Sequence, residues 1–314
     1  MVSITLLPSS SKSKKSASKP KLPIVLSFSK PASEIKIQDV KLALQAKKKL
    51  HPTRQKISKD DSGKALEDDQ SLSELKIGDD GKLYYKDLGP QIGWRTVFLI
   101  EYGGPLIIHP LIYHLSTASW AWGSYEYSRL QTLVYYLVLG HFVKREFETV
   151  FVHRFSHATM PFTNVFKNSA HYWLLSGVLL ALSIYRPAYS AEALQGTLRD
   201  NTLFLGAIGV LFILAELSNL QTHLILRSLR PANTTTRAIP RGFLFELVSC
   251  PNYLTEILAW GAIWAGTFSY SALLFLVVST TQMALWAIKK HKSYKREFGD
   301  KYPRGRKVLV PFIF

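Results

Sequence analysis

The sequence predicts a mostly α protein: a polytopic bundle of six or seven membrane-crossing helices behind a small polar N-terminal domain. Three observations carry this. Residues 1–90 are polar and charged, whereas most of 95–290 is apolar. Stretches without Asp, Glu, Lys or Arg cover 102–125, 130–143, 168–185, 202–215 and 257–288. Basic connecting segments alternate with nearly neutral ones along the apolar part, the pattern left by insertion with positive loops inside.

Residues 1–20 contain Lys12, Lys14, Lys15 and Lys19, no acid and no apolar run of signal-peptide length, and read as a disordered basic tail. From residue 21 the pattern tightens. Leu22 to Phe28 reads as a strand, with Glu34 to Ile37 as its hairpin partner. Asp39 is placed to cap a helix over Val40–Leu50, with Val40, Ala43 and Leu44 on one face. Gln55–Ser58 and Leu83–Tyr85 follow as short strands, with Leu72 and Leu75 in a turn between them. Two strands, a helix and further strands, all within 21–88, resemble a ubiquitin-like β-grasp domain; a small α+β domain of another shape is the plainer reading.

About 20 helical residues cross a bilayer. The run 257–288 would be about 48 Å long as one helix, at 1.5 Å per residue, and is therefore read as two helices broken near Gly266–Ser271. Crossings are expected at 95–115, 126–143, 168–185, 202–222, 251–269 and 271–289, with an additional re-entrant helix around 144–167 giving the seventh. Lys144, Arg145, Arg154 and Lys167, then Arg227, Arg230, Arg237 and Arg241, then the basic tail 289–307 all fall on one side. That side is expected to be cytosolic, together with the N-terminal domain.

The net charge of +17 admits nucleic acid as a partner. The cations lie in membrane-flanking segments rather than on one soluble face, so anionic lipid or a phosphorylated substrate fits them better. Cys250 is the single cysteine, which rules out an intrachain disulfide and the CxxC zinc patterns. No HExxH, GxGxxG or GxxxxGK[ST] occurs, so no metal, Rossmann or P-loop site is expected. Any nucleotide must be held by helix ends, amide side chains and arginine forks.

The most informative stretch runs through Pro240 and Gly242 to Pro251, which can open a helix at its first turn. Asn252, Tyr253 and Glu256 then fall at the mouth of a long apolar segment, where polar groups are costly unless they bind something. The plain alternative is a helix cap with interfacial side chains. The predicted topology collects further polar residues at the same face: Gln91 and Glu101 near the entry of the first crossing, Lys144, Arg145, Glu146 and Glu148 leaving the second, Asn219, His223, Arg227 and Arg230 leaving the fourth, and Tyr294 in the basic tail. Lys144, Arg145, Arg227 and Arg230 serve topology alone in the plain reading; Glu101, inside an apolar helix, needs a partner.

Ile239-Pro240-Arg241-Gly242-Phe243-Leu244-Phe245-Glu246 and Ser249-Cys250-Pro251-Asn252-Tyr253-Leu254-Thr255-Glu256, with the ending Tyr302 to Phe314, resemble the steroid 5-alpha-reductase family. Within it, Tyr84-Tyr85-Lys86-Asp87-Leu88-Gly89-Pro90-Gln91-Ile92-Gly93-Trp94 and Ile100-Glu101-Tyr102-Gly103-Gly104-Pro105-Leu106 look like the very-long-chain trans-2-enoyl-CoA reductase branch. The resemblance implies a reductase domain over 89–314 in the endoplasmic reticulum membrane. It implies NADPH-dependent reduction of a very-long-chain trans-2-enoyl-CoA, the last step of fatty-acid elongation, with membrane lipid and other elongation enzymes as neighbours and no nucleic acid. Asn219, His223, Arg230, Asn252, Glu256 and Tyr294, joined by Arg227, would line NADPH. His223 departs from the acid common in steroid reductases, and Phe142 stands where they carry a catalytic tyrosine. Tyr253 is then the implied source of the proton or of carbonyl polarisation, with Lys144 holding its hydroxyl and Glu101 and Gln91 orienting the partners. The competing expectations are a steroid or polyprenol enone reductase, a membrane methyltransferase using S-adenosylmethionine, and a non-catalytic adaptor presenting the ubiquitin-like domain.

Overall fold

A computed structural model of the chain describes residues 1–9, 23–118, 122–155, 159–229 and 238–314. It divides into two compact units, Met1–Gly93 with Thr159–Phe162, and Trp94–Ala158 with Thr163–Phe314.

In the first unit, β1 (Val2–Pro8), β2 (Ile24–Phe28), β3 (Gln55–Ser58) and β4 (Gly81–Asp87) form a sheet of order β2-β1-β4-β3. β1 is antiparallel to β2 and parallel to β4, and β3 is antiparallel to β4. Alternation drives the pairing: Ile4 and Leu6 on β1, Ile24 and Leu26 on β2, and Leu83 and Tyr85 on β4 all point to one buried face. Helix α1 (Ile37–Lys48) covers that face with Ile37, Val40 and Leu44. The Asp39 carboxylate accepts the Lys36 N–H at 2.9 Å at its start, and Lys49, left-handed at φ 55°, closes its end.

Two expectations fail here. The opening residues are not wholly a tail, because β1 lies in the middle of the sheet; the remainder of that segment, 10–22, is outside the described residues. Glu34–Ile37 is not a strand. Ile35 and Ile37 are buried under the sheet, but Ile37 starts α1, and the partner of β2 is β1. A short ribbon of β5 (Gln91–Gly93) and β6 (Thr159–Pro161) completes the unit.

The second unit is helical. Its elements are α2 (Trp94–Leu115), α3 (Arg129–Phe147), prolonged by a wider turn over Glu148–Val152, α4 (Asn164–Ser169), continued through Ala170–Leu179 into α5 (Leu180–Ile184), the short α6 (Ala191–Leu194), α7 (Thr202–Ser228), α8 (Pro251–Thr267) and α9 (Tyr270–Phe298). Three segments are long and apolar enough to cross a membrane: Trp94–Leu115, Thr202–Ser228 and Tyr270–Lys301. On α7, Leu203, Val210, Leu211, Ile213, Leu214 and Leu217 are exposed, a surface suited to lipid. Ser128 and Gln131 cap α3 reciprocally, and Asn201 caps α7 by accepting the Phe204 N–H at 3.0 Å. Pro251 opens α8, and the break before α9 falls at Phe268, within the interval expected from length.

Close packing fixes α2. A Cβ added at Gly104 would come within 2.1 Å of the Trp173 indole, whose Nε1 donates to the Ile100 carbonyl at 3.0 Å. Gly104→Ala is expected to destabilise the helical unit by roughly 1–3 kcal/mol through overpacking, read as a lower melting temperature in detergent. An unchanged melting temperature would mean that the indole moves aside freely.

Candidate active site

Polar side chains recur along three apolar helices at helical spacing. His141, Lys144, Arg145 and Glu148 follow one another on α3 and its extension, Glu216, Asn219 and His223 on α7, and Asn252, Thr255 and Glu256 on α8. Spacings of three and four residues put each set on one side of its helix. Their partners lie across the interfaces. Lys144 Nζ donates to Asn219 Oδ1 at 2.6 Å and is 2.9 Å from Glu216 Oε2 and 3.2 Å from Glu148 Oε1. His141 sits between two carboxylates, its Nδ1 2.7 Å from Glu216 Oε1 and its Nε2 3.3 Å from Glu256 Oε1. Arg145 Nη1 donates to Glu148 Oε2 at 2.7 Å and Nη2 donates to the Tyr102 hydroxyl of α2 at 2.8 Å. His223 Nδ1 lies 3.1 Å from Glu148 Oε1. Asn219 Nδ2 donates to the Asn252 carbonyl at 2.8 Å and to Thr255 Oγ1 at 3.2 Å, which stitches α7 to α8. The carboxylates of Glu148, Glu216 and Glu256 are thus answered by a lysine, an arginine and imidazoles, the condition for keeping charge among apolar helices.

Beside this cluster opens a cavity of about 520 Å³. His153, His223, Arg227, Tyr253, Lys289, Lys290 and Tyr294 border it, with Trp94, Phe98 and Trp286 as its aromatic walls. Lys290 Nζ stands 6.0 Å from the Tyr294 ring centroid. Burial lowers the His153 imidazole to about 3, so it is neutral at physiological pH.

The predicted residues therefore separate into groups. His223, Arg227, Tyr253 and Tyr294 border the cavity. Asn219 and Glu256 belong to the buried cluster, as does Asn252 through its carbonyl; its Oδ1 is buried without a hydrogen-bond partner among the described residues. Arg230 lies outside the described residues. Glu101 is 2 % exposed on α2, and its Oε2 likewise has no hydrogen-bond partner among the described residues. Gln91 precedes the first long helix in the chain. It lies in β5 of the other unit, where its amide donates to the Leu88 carbonyl at 3.1 Å and its Oε1 accepts from Thr159 Oγ1 at 3.4 Å. Lys144 is held by Asn219, Glu148 and Glu216 rather than by the Tyr253 hydroxyl, and the lysines that share the cavity with Tyr253 are Lys289 and Lys290.

Sequence reasoning placed Glu148 at this face but missed His141 and Glu216 as members of the cluster. The signal was present as i, i+3 and i+7 polar positions inside apolar helices, but single-residue scanning treats each as an interfacial side chain. Glu148, His153 and His223 also bring ligand-type atoms within 4.8 Å of one another. Lys144 and Arg145 already take the Glu148 oxygens, so fixed cations stand where a metal ion would bind.

Residues 158–314 match the family profile described as 3-oxo-5-alpha-steroid 4-dehydrogenase, and residues 16–87 match the one described as TECR, ubiquitin-like domain. The chain is 43 % identical over 250 residues to a very-long-chain enoyl-CoA reductase of Dictyostelium discoideum, covering 79 % of this chain and 80 % of that protein. It is 43 % identical over 294 residues to a putative enoyl reductase of Schizosaccharomyces pombe, covering 93 % and 95 %. A probable very-long-chain enoyl-CoA reductase of Caenorhabditis elegans is 38 % identical over 278 residues, covering 86 % and 88 %.

Glu216→Ala would remove the carboxylate shared by Lys144 and His141, leaving Lys144 to Asn219 and Glu148 and His141 to Glu256 alone. It is expected to cost about 3–5 kcal/mol, seen as a large fall in melting temperature. The pair Lys144→Met with Glu216→Leu is expected to be milder than the sum of its singles; simple additivity would show that the two side chains do not depend on each other.

Proposed function

This chain belongs to the very-long-chain enoyl-CoA reductase family, and from that premise we propose that it is an NADPH-dependent reductase of very-long-chain trans-2-enoyl-CoA. The reduced bond is the 2,3 double bond, and the product is the saturated acyl-CoA that completes a round of elongation. The observation that carries the reading is the cavity in which Tyr253 shares one wall system with Arg227, Lys289 and Lys290. Cations that border an aromatic-walled cavity suit a ligand with phosphates at one end and a planar ring at the other.

The residues fit a dinucleotide. The cavity is about 520 Å³, and Asn252 Oδ1, buried one residue before the cavity-lining Tyr253, has no hydrogen-bond partner among the described residues. In this reading Arg227, Lys289, Lys290 and Arg230 meet phosphates, while His223, Asn252 and Tyr294 orient the rest of the cofactor. Asn219 and Glu256 act by holding α7 and α8 in register. Bound NADPH supplies a hydride to the β carbon of the enoyl thioester. As it arrives, negative charge develops on the thioester oxygen, and the Tyr253 hydroxyl is the donor placed to polarise that oxygen. Lys144 supports the site by fixing Asn219 and Glu216. Glu101 contributes its buried carboxyl from α2.

The membrane body has a matching purpose. Burying an acyl chain is worth about 0.8 kcal/mol per CH₂, so a very long chain partitions into lipid or a cleft between helices while its thioester stays at the polar mouth. We further propose six or seven crossings in the endoplasmic reticulum membrane, with the ubiquitin-like unit and the basic tail facing the cytosol beside other elongation enzymes. The basic segments 144–167, 223–241 and 289–307 support that orientation.

Purified protein in detergent is expected to oxidise NADPH only when a long trans-2-enoyl-CoA is present. Tyr253→Phe should cut turnover by roughly 10²–10³-fold while cofactor binding persists, the scale for losing one oxyanion donor. Oxidation that survives this substitution would remove Tyr253 from the role. Wild-type protein that binds S-adenosylmethionine and leaves NADPH unoxidised would overturn the reductase reading itself.

A further inference from the structure

The first unit is charge-polarised. Residues 47–56 hold Lys47, Lys48, Lys49, Arg54 and Lys56 and no acid, whereas 67–80 hold six acids against Lys76 alone. The fold sends these segments to opposite ends of the unit. The acidic one meets the start of α1, where the Gln38 and Ile37 N–H groups donate to the Asp68 and Gln70 carbonyls at 3.0 Å. It also meets the start of β1, where Asp79 Oδ1 accepts the Ser3 N–H at 2.7 Å. The basic segment follows the last turn of α1 and ends beside the last residues of β4. There the Leu88 N–H donates to the Arg54 carbonyl at 2.7 Å, and Arg54 grips Asp87 through Nε at 3.1 Å and Nη2 at 2.7 Å. The dipole of α1 accounts for part of this polarity, since acids favour its start and lysines its end. It does not account for Lys56 and Lys86. The register of β3 on β4 sets these two directly opposite each other, on the face away from the buried Leu83 and Tyr85. Like charges so opposed cost stability. Among the described residues no carboxylate stands within ion-pair distance of Lys48, Lys49, Lys56 or Lys86. Lys48, Lys49 and Lys86 are exposed, and so is the apolar Leu88 beside them. An acid-free pole with two opposed lysines is a surface for anions supplied from outside the unit.

The path of the chain indicates which anions. It leaves this pole at Asp87 and enters α2, long and apolar enough to cross a membrane, at Trp94. Those seven residues span at most about 25 Å, so the bilayer surface is within reach of the pole. We propose that the basic pole of the first unit docks on anionic phospholipid headgroups of the bilayer that α2 enters. Lys48, Lys49, Lys56 and Lys86 meet the headgroup phosphates, and the headgroups relieve the repulsion between Lys56 and Lys86. The acidic segment 67–80, at the other end of the unit, is kept away from that surface by its own charge. Each cation at an anionic surface raises the docked population by about fivefold, so four of them hold the unit without any apolar insertion. This docking is independent of the reaction assigned to the helical unit, which uses none of these lysines.

Full-length protein is placed in nanodiscs of phosphatidylcholine alone or of phosphatidylcholine with phosphatidylserine, and lysine acetylation is followed residue by residue by mass spectrometry. Lys48, Lys49, Lys56 and Lys86 are expected to react roughly threefold or more slowly in the anionic discs, and high salt should restore their rates. Lys76, in the acidic segment, should react alike in both discs. Combining Lys48→Glu, Lys49→Glu and Lys86→Glu should return Lys56 to its rate in neutral discs; if that variant does not fold, the wild-type comparison decides alone. Equal rates for the four lysines in the two kinds of disc would overturn the docking and leave the pole to an acidic protein. Equal protection by inorganic phosphate in neutral discs would overturn it too, by assigning the pole to a soluble phosphate.

Discussion

The helical unit depends on the satisfaction of three buried carboxylates. Glu148, Glu216 and Glu256 stand on three different elements, and each finds its counter-charge on α3: Lys144 and Arg145 for Glu148, Lys144 and His141 for Glu216, His141 for Glu256. Charged groups among apolar helices are tolerated only when answered at close range, and one face of α3 gives an answer to all three, with His223 of α7 adding a second partner for Glu148. A rotation of α3 by one residue would move every one of those partners at once. The network is thus a register device as well as a charge balance. It sets how α3 meets α7 and α8, and through Tyr102 how α3 meets α2.

That register is what places the cavity. His223 is both a partner of Glu148 and a wall of the cavity, and Tyr253 lies one residue after Asn252, whose carbonyl is bound by Asn219. Side chains that border the cavity and side chains that hold the helices are therefore neighbours in sequence. Polar groups that bind ligand from a membrane helix need supports of their own, since no water competes to orient them. Of the cations at the cavity edge, Arg227 comes from the last turn of α7, whereas Lys289 and Lys290 stand within α9, where long side chains can reach a polar surface while their stems stay among apolar groups.

Much of this was legible in the sequence. The stretches Leu22 to Phe28, Gln55–Ser58 and Leu83–Tyr85 mark strands of a small sheet, and the β-grasp reading agrees with the match of residues 16–87. Pro251 and the length of the run after it located α8 and its break from α9. The loss of the predicted Glu34–Ile37 strand has a simple cause: two isoleucines at alternate positions fit a strand and equally fit a buried turn into a helix, and only the neighbouring strand decides. β1 was invisible because its pairing partners, β2 and β4, are remote in sequence and the basic stretch after it dominates composition. A lysine partner for Tyr253 was expected, but the residue chosen was Lys144, which carboxylates claim; Lys289 and Lys290, which border the cavity with Tyr253, stood only within the basic tail.

The parallel pairing of β1 with β4 has a bearing on synthesis. The central strand of the first unit is made first, and its neighbour β4 ends at Asp87, seven residues before α2 begins at Trp94. Loop closure over that separation must wait for β4, so the sheet cannot finish before the first long apolar helix is about to emerge from the ribosome. Folding of the head and capture of α2 by the insertion machinery consequently occupy the same interval. A delay in β4 leaves Ile4 and Leu6 uncovered while α2, the first of the long apolar helices, follows it out.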